Sequence, residues 1–313
     1  MENNITQKSA IFNGIEMGIG TWAWGDRLIW NYGSDYNYED IHQTFRSAID
    51  FGFCFFDTAE IYGQGRSESN LGDFAHEVKE TPVIASKFMP FPWRLSSKSL
   101  KKALQASLKR LKMDRIALYQ IHQPIPPIKI EVWMNQMVEV YQEGLVEAVG
   151  VSNYDLSQTL HAQNALVRKG LRLASNQMEY SLLDRRIEKN GVFDLCKEQG
   201  ISLIAYSPLA MGVLSGKYNH EHPLRGFRGT KYSPAYLEKI KPLIGSLKKI
   251  GLEHDGKTPT QVALNWVICK GALPIPGAKT VKQLEENSGA IGWRLTPDEV
   301  GTLDELSDHV RKS

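Results

Sequence analysis

Asp57 and Tyr62 stand five residues apart in Phe56-Asp57-Thr58-Ala59-Glu60-Ile61-Tyr62-Gly63, immediately after an apolar run over residues 51–56. That run reads as a buried strand, so the carboxylate sits at a strand mouth, partly desolvated and in need of a cation. Lys87 lies in a second apolar run, over residues 83–88, and a lysine in such a place must be paired. Asp57 is the obvious partner. A phenol beside that pair is expected to have its pKa lowered by the ammonium and to become a better proton donor. His122 closes a third apolar run, over residues 116–122, where an imidazole can orient a substrate oxygen or pass a proton. Taken singly, each residue has a plain structural explanation: a buried ion pair, a surface tyrosine, a core histidine. Together, on three successive strand ends, they make a proton-handling unit.

Such a unit needs a frame that ends many strands at one face. Apolar runs recur at residues 18–22, 51–56, 83–88, 116–122, 146–151, 174–178, 201–206 and 273–275. Between them lie stripes of helical period, such as Ile41, Phe45, Ala48 and Ile49, or Leu100, Leu104, Leu108 and Leu111. Eight strands alternating with helices predict an α/β protein with a closed (β/α)8 TIM barrel, with an open doubly wound sheet as the competitor. Asn13-Gly14 between residues 9 and 20 predicts a short N-terminal β-hairpin ahead of it. No pause or linker divides the chain, so residues 1–313 are expected to form one domain. Residues 214–233 break the rhythm with Gly, Pro, His and Arg and predict a long functional loop.

In a parallel barrel the chemistry sits at the C-terminal strand ends. Here those ends carry Thr21, Trp22 and Trp24, then Asp57, Lys87 and His122, then Ser152-Asn153, Asn176-Gln177, Tyr206-Ser207 and Gly277 to Thr280. Every run delivers a polar or aromatic residue at the same end, which a purely structural barrel does not require.

Composition narrows the class. A formal charge of +2, with 42% hydrophobic and 23% charged residues, fits an ordinary soluble enzyme. It gives no electrostatic case for nucleic acid or an anionic membrane as partner. Cys54, Cys196 and Cys269 are far apart and form no CxxC, which argues for a reducing compartment without disulfides or zinc; Cys54, between phenylalanines, is expected to be buried. The N-terminus has no signal-peptide pattern and no apolar run nears about 18 residues, so a cytoplasmic location is expected.

Competing motifs fail on context. Gly18-Ile19-Gly20-Thr21-Trp22-Ala23 matches a dinucleotide fingerprint, yet aromatics and a loop follow it instead of a helix. His220-Glu221-His222 has no third or fourth metal ligand nearby. Ser152 and Ser207 lack nucleophile-elbow spacing.

The set Gly20-Thr21-Trp22, Phe56 to Gly63, Ala85-Ser86-Lys87-Phe88, Gln120-Ile121-His122, Gly150-Val151-Ser152-Asn153, Asn176 to Ser181, Ala205 to Leu209 and Pro274 to Lys279 resembles the aldo-keto reductases. The resemblance runs in order from Gly18 to Asn287, and its details are most similar to the potassium-channel β-subunit-like and plastid-type branch. It implies a catalytic tetrad of Asp57, Tyr62, Lys87 and His122 and a nicotinamide cofactor, NADPH in preference to NADH. The nicotinamide would give hydride to an aldehyde or ketone while Tyr62 protonates the oxygen. Tyr206 would stack on the nicotinamide, and Ser152, Asn153 and Gln177 would grip its carboxamide. Gly20, Thr21, Trp22, Ser207, Pro208, Leu209, Gly212 and the Gly277–Thr280 segment would line the rest of the cofactor site, with Glu286 and Asn287 at the adenine. Where many relatives carry Lys-Ser and a later Arg at the 2′-phosphate, this chain has Gly277, Ala278 and Gln283. Lys279 and Lys217, with Arg225 or Arg228, would supply the missing charge. The 214–233 loop would cover the cofactor side. Trp24, Trp93 and His122 are the expected contacts to a small-molecule carbonyl substrate, with Trp22, Trp30 and Phe91 near them and Arg94 available for an anionic one. A regulatory subunit that holds the cofactor and turns over slowly would keep the same tetrad, and a lyase or isomerase could share the barrel. Oligomeric state is not legible.

Overall fold

The computed structural model describes residues 9–312 apart from residues 80, 81, 97, 220 and 225. Eight parallel strands follow one another in sequence order: β1 (Ile19–Gly20), β2 (Phe55–Asp57), β3 (Val83–Phe88), β4 (Ile116–Ile121), β5 (Val146–Ser152), β6 (Leu173–Glu179), β7 (Ser202–Tyr206) and β8 (Leu273–Pro274). The sheet closes through Gly18 and Gly20, whose N–H groups donate to the carbonyls of Pro274 (3.0 Å) and Pro276 (3.1 Å). Helices alternate with the strands, as a (β/α)8 barrel requires.

The period of two along each strand sorts side chains between two environments. Phe55, Ala85, Leu118, Ala148, Ile204 and Leu273 pack inside the barrel floor. One residue to either side, Phe56, Ile84, Tyr119, Val149, Leu203 and Ala205 face the helices and join the larger core. A further step along β2, β3 and β4 returns inward at Asp57, Lys87 and Gln120, so the polar layer lies directly above the apolar floor. Gly150 makes that layer possible. A Cβ there would lie 2.3 Å from Ser175 Oγ and 3.1 Å from Gln120 Cγ.

The expected N-terminal hairpin is not formed. Ala10–Phe12 is a single 3-10 turn, and Asn13-Gly14 is indeed a turn, with Gly14 at φ +75°, but it joins no paired strand. The reason lies in the floor: Phe12 packs into it, 5.8 Å from the Phe55 ring, with Ile11 and Ile15 beside it. The strand expected from residue 51 starts only at Phe55, because Phe51 caps the preceding helix Tyr38–Asp50 and Gly52 turns the chain at φ +83°. Cys54 is consequently exposed and not buried. Among the described residues, the 214–233 segment contains the end of a 3-10 turn, Ala210–Ser215, and a helix, Gly226–Lys231.

Truncating the floor plug should cost stability without touching the opposite, polar end. Phe12→Ala is expected to lower the urea unfolding free energy by about 3 kcal/mol while leaving kcat unchanged. A loss below about 0.5 kcal/mol would show that Phe12 does not seal the barrel.

Candidate active site

Lys87 is fully buried and its ammonium is ion-paired to Asp57 Oδ1, also donating to Thr58 O at 2.8 Å. Its third direction leads to the Tyr62 hydroxyl at 3.4 Å, and it sits 5.0 Å from the centre of that ring. The second oxygen of Asp57 accepts from Gln177 Nε2 (2.8 Å) and Gln120 Nε2 (3.4 Å). A buried carboxylate with both oxygens engaged by three donors holds one orientation. The His122 ring stands edge-on to Tyr62 at 5.7 Å, so the four side chains converge at one end of the barrel. Gln120 belongs to this group, and sequence reasoning missed it. Its inward phase, two residues before His122 on β4, was the available signal.

The electrostatics differ from expectation at Tyr62. Burial, and next the Asp57 carboxylate, push the phenol well above its ordinary pKa instead of lowering it. Asp57 largely cancels the Lys87 charge, so little remains to offset desolvation. The phenol is therefore protonated at neutral pH, the state a proton donor must be in. Burial lowers the Lys87 pKa, opposed by Asp57 and then Glu68. Burial and the Lys87 charge push His122 down to about 3, which makes it a neutral ring at pH 7 and a hydrogen-bonding group, not an imidazolium acid. Its Nδ1 is buried with no partner among the described residues.

Around this centre, Tyr206 donates to Asn153 Oδ1 at 2.9 Å, and Asn153 Nδ2 donates to the His122 carbonyl (3.2 Å) and Ser152 Oγ (3.0 Å). Ser152 Oγ in turn donates to Gln177 O at 2.9 Å. The chain then runs through an unusual loop in which Ser207, Ala210, Met211 and Gly212 have φ of +51°, +48°, +56° and +94°. Backbone in this region makes anion-binding concavities and persists where surroundings over-determine it. Pro208 and Leu209 lie within the same loop, Pro208 buried.

Several expected contacts are engaged elsewhere. Thr21 is buried, its Oγ1 bonded to Asp57 O (3.0 Å) and Ser67 Oγ (2.8 Å), so its side chain supports the Asp57 strand. Trp24 is fully buried among Phe45, Phe56 and Phe74, with Nε1 donating to Ala278 O at 2.8 Å, and cannot line a substrate cleft. Trp22 does stand at the mouth, 6.1 Å from the Tyr62 ring and 5.6 Å from Trp30. Trp93 is 72% exposed and stacked on Phe91 at 4.6 Å. Arg94 is not available to an anion, because both its terminal nitrogens bind Glu60, at 2.5 and 3.0 Å. Gln283 accepts from the Lys279 N–H (2.8 Å), Glu286 from Thr258 Oγ1 (2.5 Å), and Asn287 donates to Gly277 O (3.4 Å). Arg225 and His220, the latter part of the rejected His-Glu-His cluster, lie outside the described residues.

Lys279, Arg228 and Lys217 form a cation cluster over aromatic faces. Lys279 lies 4.7 Å from the Tyr36 ring and 5.5 Å from Trp30, Arg228 5.7 Å from Trp30, and Lys217 5.1 Å from Tyr218. Burial, and then Arg228, push the Lys279 ammonium down, with Asp35 only partly opposing. None of the three has a carboxylate ion pair among the described residues. Uncompensated cations beside left-handed backbone fit a phosphate-bearing dinucleotide.

A parallel barrel holds a buried Asp57–Lys87 pair with half-buried Tyr62 and His122 beside it at the C-terminal strand ends, and a cationic flank. Residues 16–308 match the Aldo/keto reductase family, and the chain belongs to it. Over 310 residues it is 40% identical to the chloroplastic pyridoxal reductase of Arabidopsis thaliana, covering 95% of this chain and 84% of that one. Solved structures agree: the glycerol dehydrogenase of Gluconobacter oxydans superposes with a TM-score of 0.81 at 25% identity, over 94% of this chain and 92% of that one. An aldo/keto reductase of Klebsiella pneumoniae, crystallised with NADP and acetate, gives 0.74 at 26% identity, over 93% and 91%. Among the described residues no helix is long and apolar enough to cross a membrane.

The depressed His122 pKa has a testable consequence. An unfolded chain binds a proton at histidine near pH 6.5, while folded His122 waits until about 3. Between those values the unfolded state holds more protons, so stability rises with pH across that window and falls on acidification. Relative to pH 7, wild-type protein should lose about 2 kcal/mol at pH 5 from this residue alone. His122→Asn should lose correspondingly less, read from urea midpoints at the two pH values; equal losses would show that His122 titrates normally in the fold.

Proposed function

We propose that this oxidoreductase uses NADPH to reduce an aldehyde or ketone to an alcohol, with Tyr62 as the proton donor. The observation that carries the reading is the convergence of a protonated phenol, a buried ammonium and a neutral imidazole on one spot. When bound, the nicotinamide supplies the hydride to the carbonyl carbon. The rest falls to this chain's side chains. The His122 N–H orients the carbonyl oxygen, and Tyr62 transfers its phenolic proton to that oxygen as charge develops there. The Lys87 ammonium, 3.4 Å away, stabilises the phenolate left behind, and Asp57 holds Lys87 in place. In this reading Tyr206 offers its ring to the nicotinamide, fixed in position by its bond to Asn153. Gln177 and Ser152 then act on the carboxamide or on Asp57 itself.

Lys279, Arg228 and Lys217 take the cofactor phosphates, which favours NADPH over NADH. The insertion bearing Lys217 and Arg228 covers the cofactor side, and the whole chain works as one domain. The aromatic mouth formed by Trp22, Trp30 and Tyr62 suits a planar carbonyl compound. Given the Arabidopsis relative's name, pyridoxal is the first aldehyde to test, beside benzaldehyde.

Tyr62→Phe should lower kcat for aldehyde reduction by about 10²–10⁴-fold. NADPH affinity, measured by quenching of tryptophan fluorescence, should stay within about twofold. Full activity in this variant would remove Tyr62 as the donor. Lys279→Gln should raise the NADPH Kd about tenfold and the NADH Kd much less. Equal weakening of both cofactors would show that Lys279 does not read the extra phosphate.

A further inference from the structure

The turn that carries Tyr62 is strained, and unassigned residues hold it. Within Tyr62–Gly65 and the helix start, Gly63, Gln64 and Gly65 have φ of +56°, +59° and +89°. A non-glycine residue such as Gln64 in this region costs about 1–3 kcal/mol and persists only where its surroundings over-determine it. On the upstream side, the Glu60 carboxylate is fixed by Arg94 and by the Met89 N–H at 2.7 Å. On the downstream side, Gly65 abuts Arg110 from the helix Ser99–Leu111: a Cβ on Gly65 would lie 2.7 Å from Arg110 Cδ and 2.9 Å from Nε.

That guanidinium has a second task. Its Nε donates at 2.6 Å to Glu68 Oε2, on a carboxylate with no solvent exposure, and Nη2 also reaches Ser107 Oγ at 3.2 Å. The other Glu68 oxygen accepts from Ser86 Oγ at 2.5 Å, and Ser86 precedes Lys87 on β3. One arginine thus touches the end of the Tyr62 turn and, through one carboxylate, the strand that carries Lys87. The Glu68 charge, after Asp57, also helps hold Lys87 protonated.

We propose that Arg110 and Glu68 are positioning residues: by locking Gly65 on one side and Ser86 on the other, they set the approach of the Tyr62 phenol to the Lys87 ammonium. This rests on the reading of Tyr62 as proton donor. The competing account is stability alone, since a buried carboxylate needs a partner in any case.

The experiment compares Arg110→Lys, the double variant Glu68→Gln/Arg110→Met and Tyr62→Phe. It measures melting temperature, NADPH Kd, and kcat and KM with benzaldehyde. The double variant keeps the Glu68 shape and the apolar stem of residue 110 and leaves no unpaired buried charge, so its Tm should stay within about 4 °C of wild type. Its kcat should fall by at least about tenfold with KM and NADPH Kd nearly unchanged, and Arg110→Lys should lie between it and wild type. A folded double variant with wild-type kcat overturns the proposal. Should the double variant not fold, Arg110→Lys decides: reduced kcat at unchanged Tm supports the proposal, and wild-type kcat overturns it. Full activity in Tyr62→Phe would instead overturn the donor assignment, whereas an inactive Tyr62→Phe beside a fully active double variant removes only the role of Arg110 and Glu68.

Discussion

The buried pairing of Lys87 with Asp57 is the constraint from which the rest of the site follows. An ammonium with no solvent exposure inside a barrel is tolerable only with a carboxylate against it and polar groups for its remaining protons. The Thr58 carbonyl and the Tyr62 hydroxyl fill that need. Asp57 imposes the same demand in reverse, and two glutamines from β4 and β6 answer it. Four strands are thereby committed to one register at their upper ends. Sliding β2 or β3 by one residue would turn a charge towards the helices, and sliding β4 or β6 would take a glutamine away from Asp57.

This dependence explains why the chemistry was easier to read from the sequence than the packing. Asp57, Lys87 and His122 each interrupt or end an apolar run, and the strand period fixes their common side. Gln120 obeys the same period but carries no charge, so it passed as ordinary strand polarity. Trp24 and Arg94 misled for a different reason. Both are residue types that line binding sites, yet Trp24 found three phenylalanines and Arg94 found Glu60, pairings set by loops whose course no local pattern encodes. The N-terminal segment shows tertiary structure overriding a correct local signal. Its Asn-Gly turn is present, but Phe12 packs into the floor of the barrel and no hairpin pairs.

The Tyr62 pKa is the most instructive departure. A phenol next to a lysine suggests a depressed value, provided the lysine acts as a free charge. Here the ammonium is spoken for, and what the phenol meets is a nearly neutral ion pair inside a dry wall. The consequence favours donation. A phenol already ionised at neutral pH would have no proton to give, whereas one held protonated in the resting state can release it when an alkoxide forms within reach. In the proposed reaction the Lys87 charge matters most after proton transfer, when it faces a phenolate instead of a phenol.

Such a site gains nothing from a loose frame. A difference of well under an ångström separates a phenol within reach of Lys87 from one outside it, and the turn bearing Tyr62 adopts a backbone that an unsupported loop would abandon. Rigid supports are accordingly concentrated around it: Gly63 lies against Gly25, Gly65 against Arg110, and two carboxylate–guanidinium pairs flank the turn at Glu60 and Glu68. The flank carrying Lys279, Arg228 and Lys217 is built on the opposite principle. Its loop keeps positive φ, and burial together with the neighbouring Arg228 lowers the Lys279 pKa, so in the proposed reading a bound phosphate would relieve a cost already present in the free protein. The Tyr62 turn is thus held by its own packing, whereas the cationic flank keeps a charge that no carboxylate ion pair balances among the described residues. The proposed reaction asks for both, a fixed proton donor and a flank that admits and releases a highly charged cofactor.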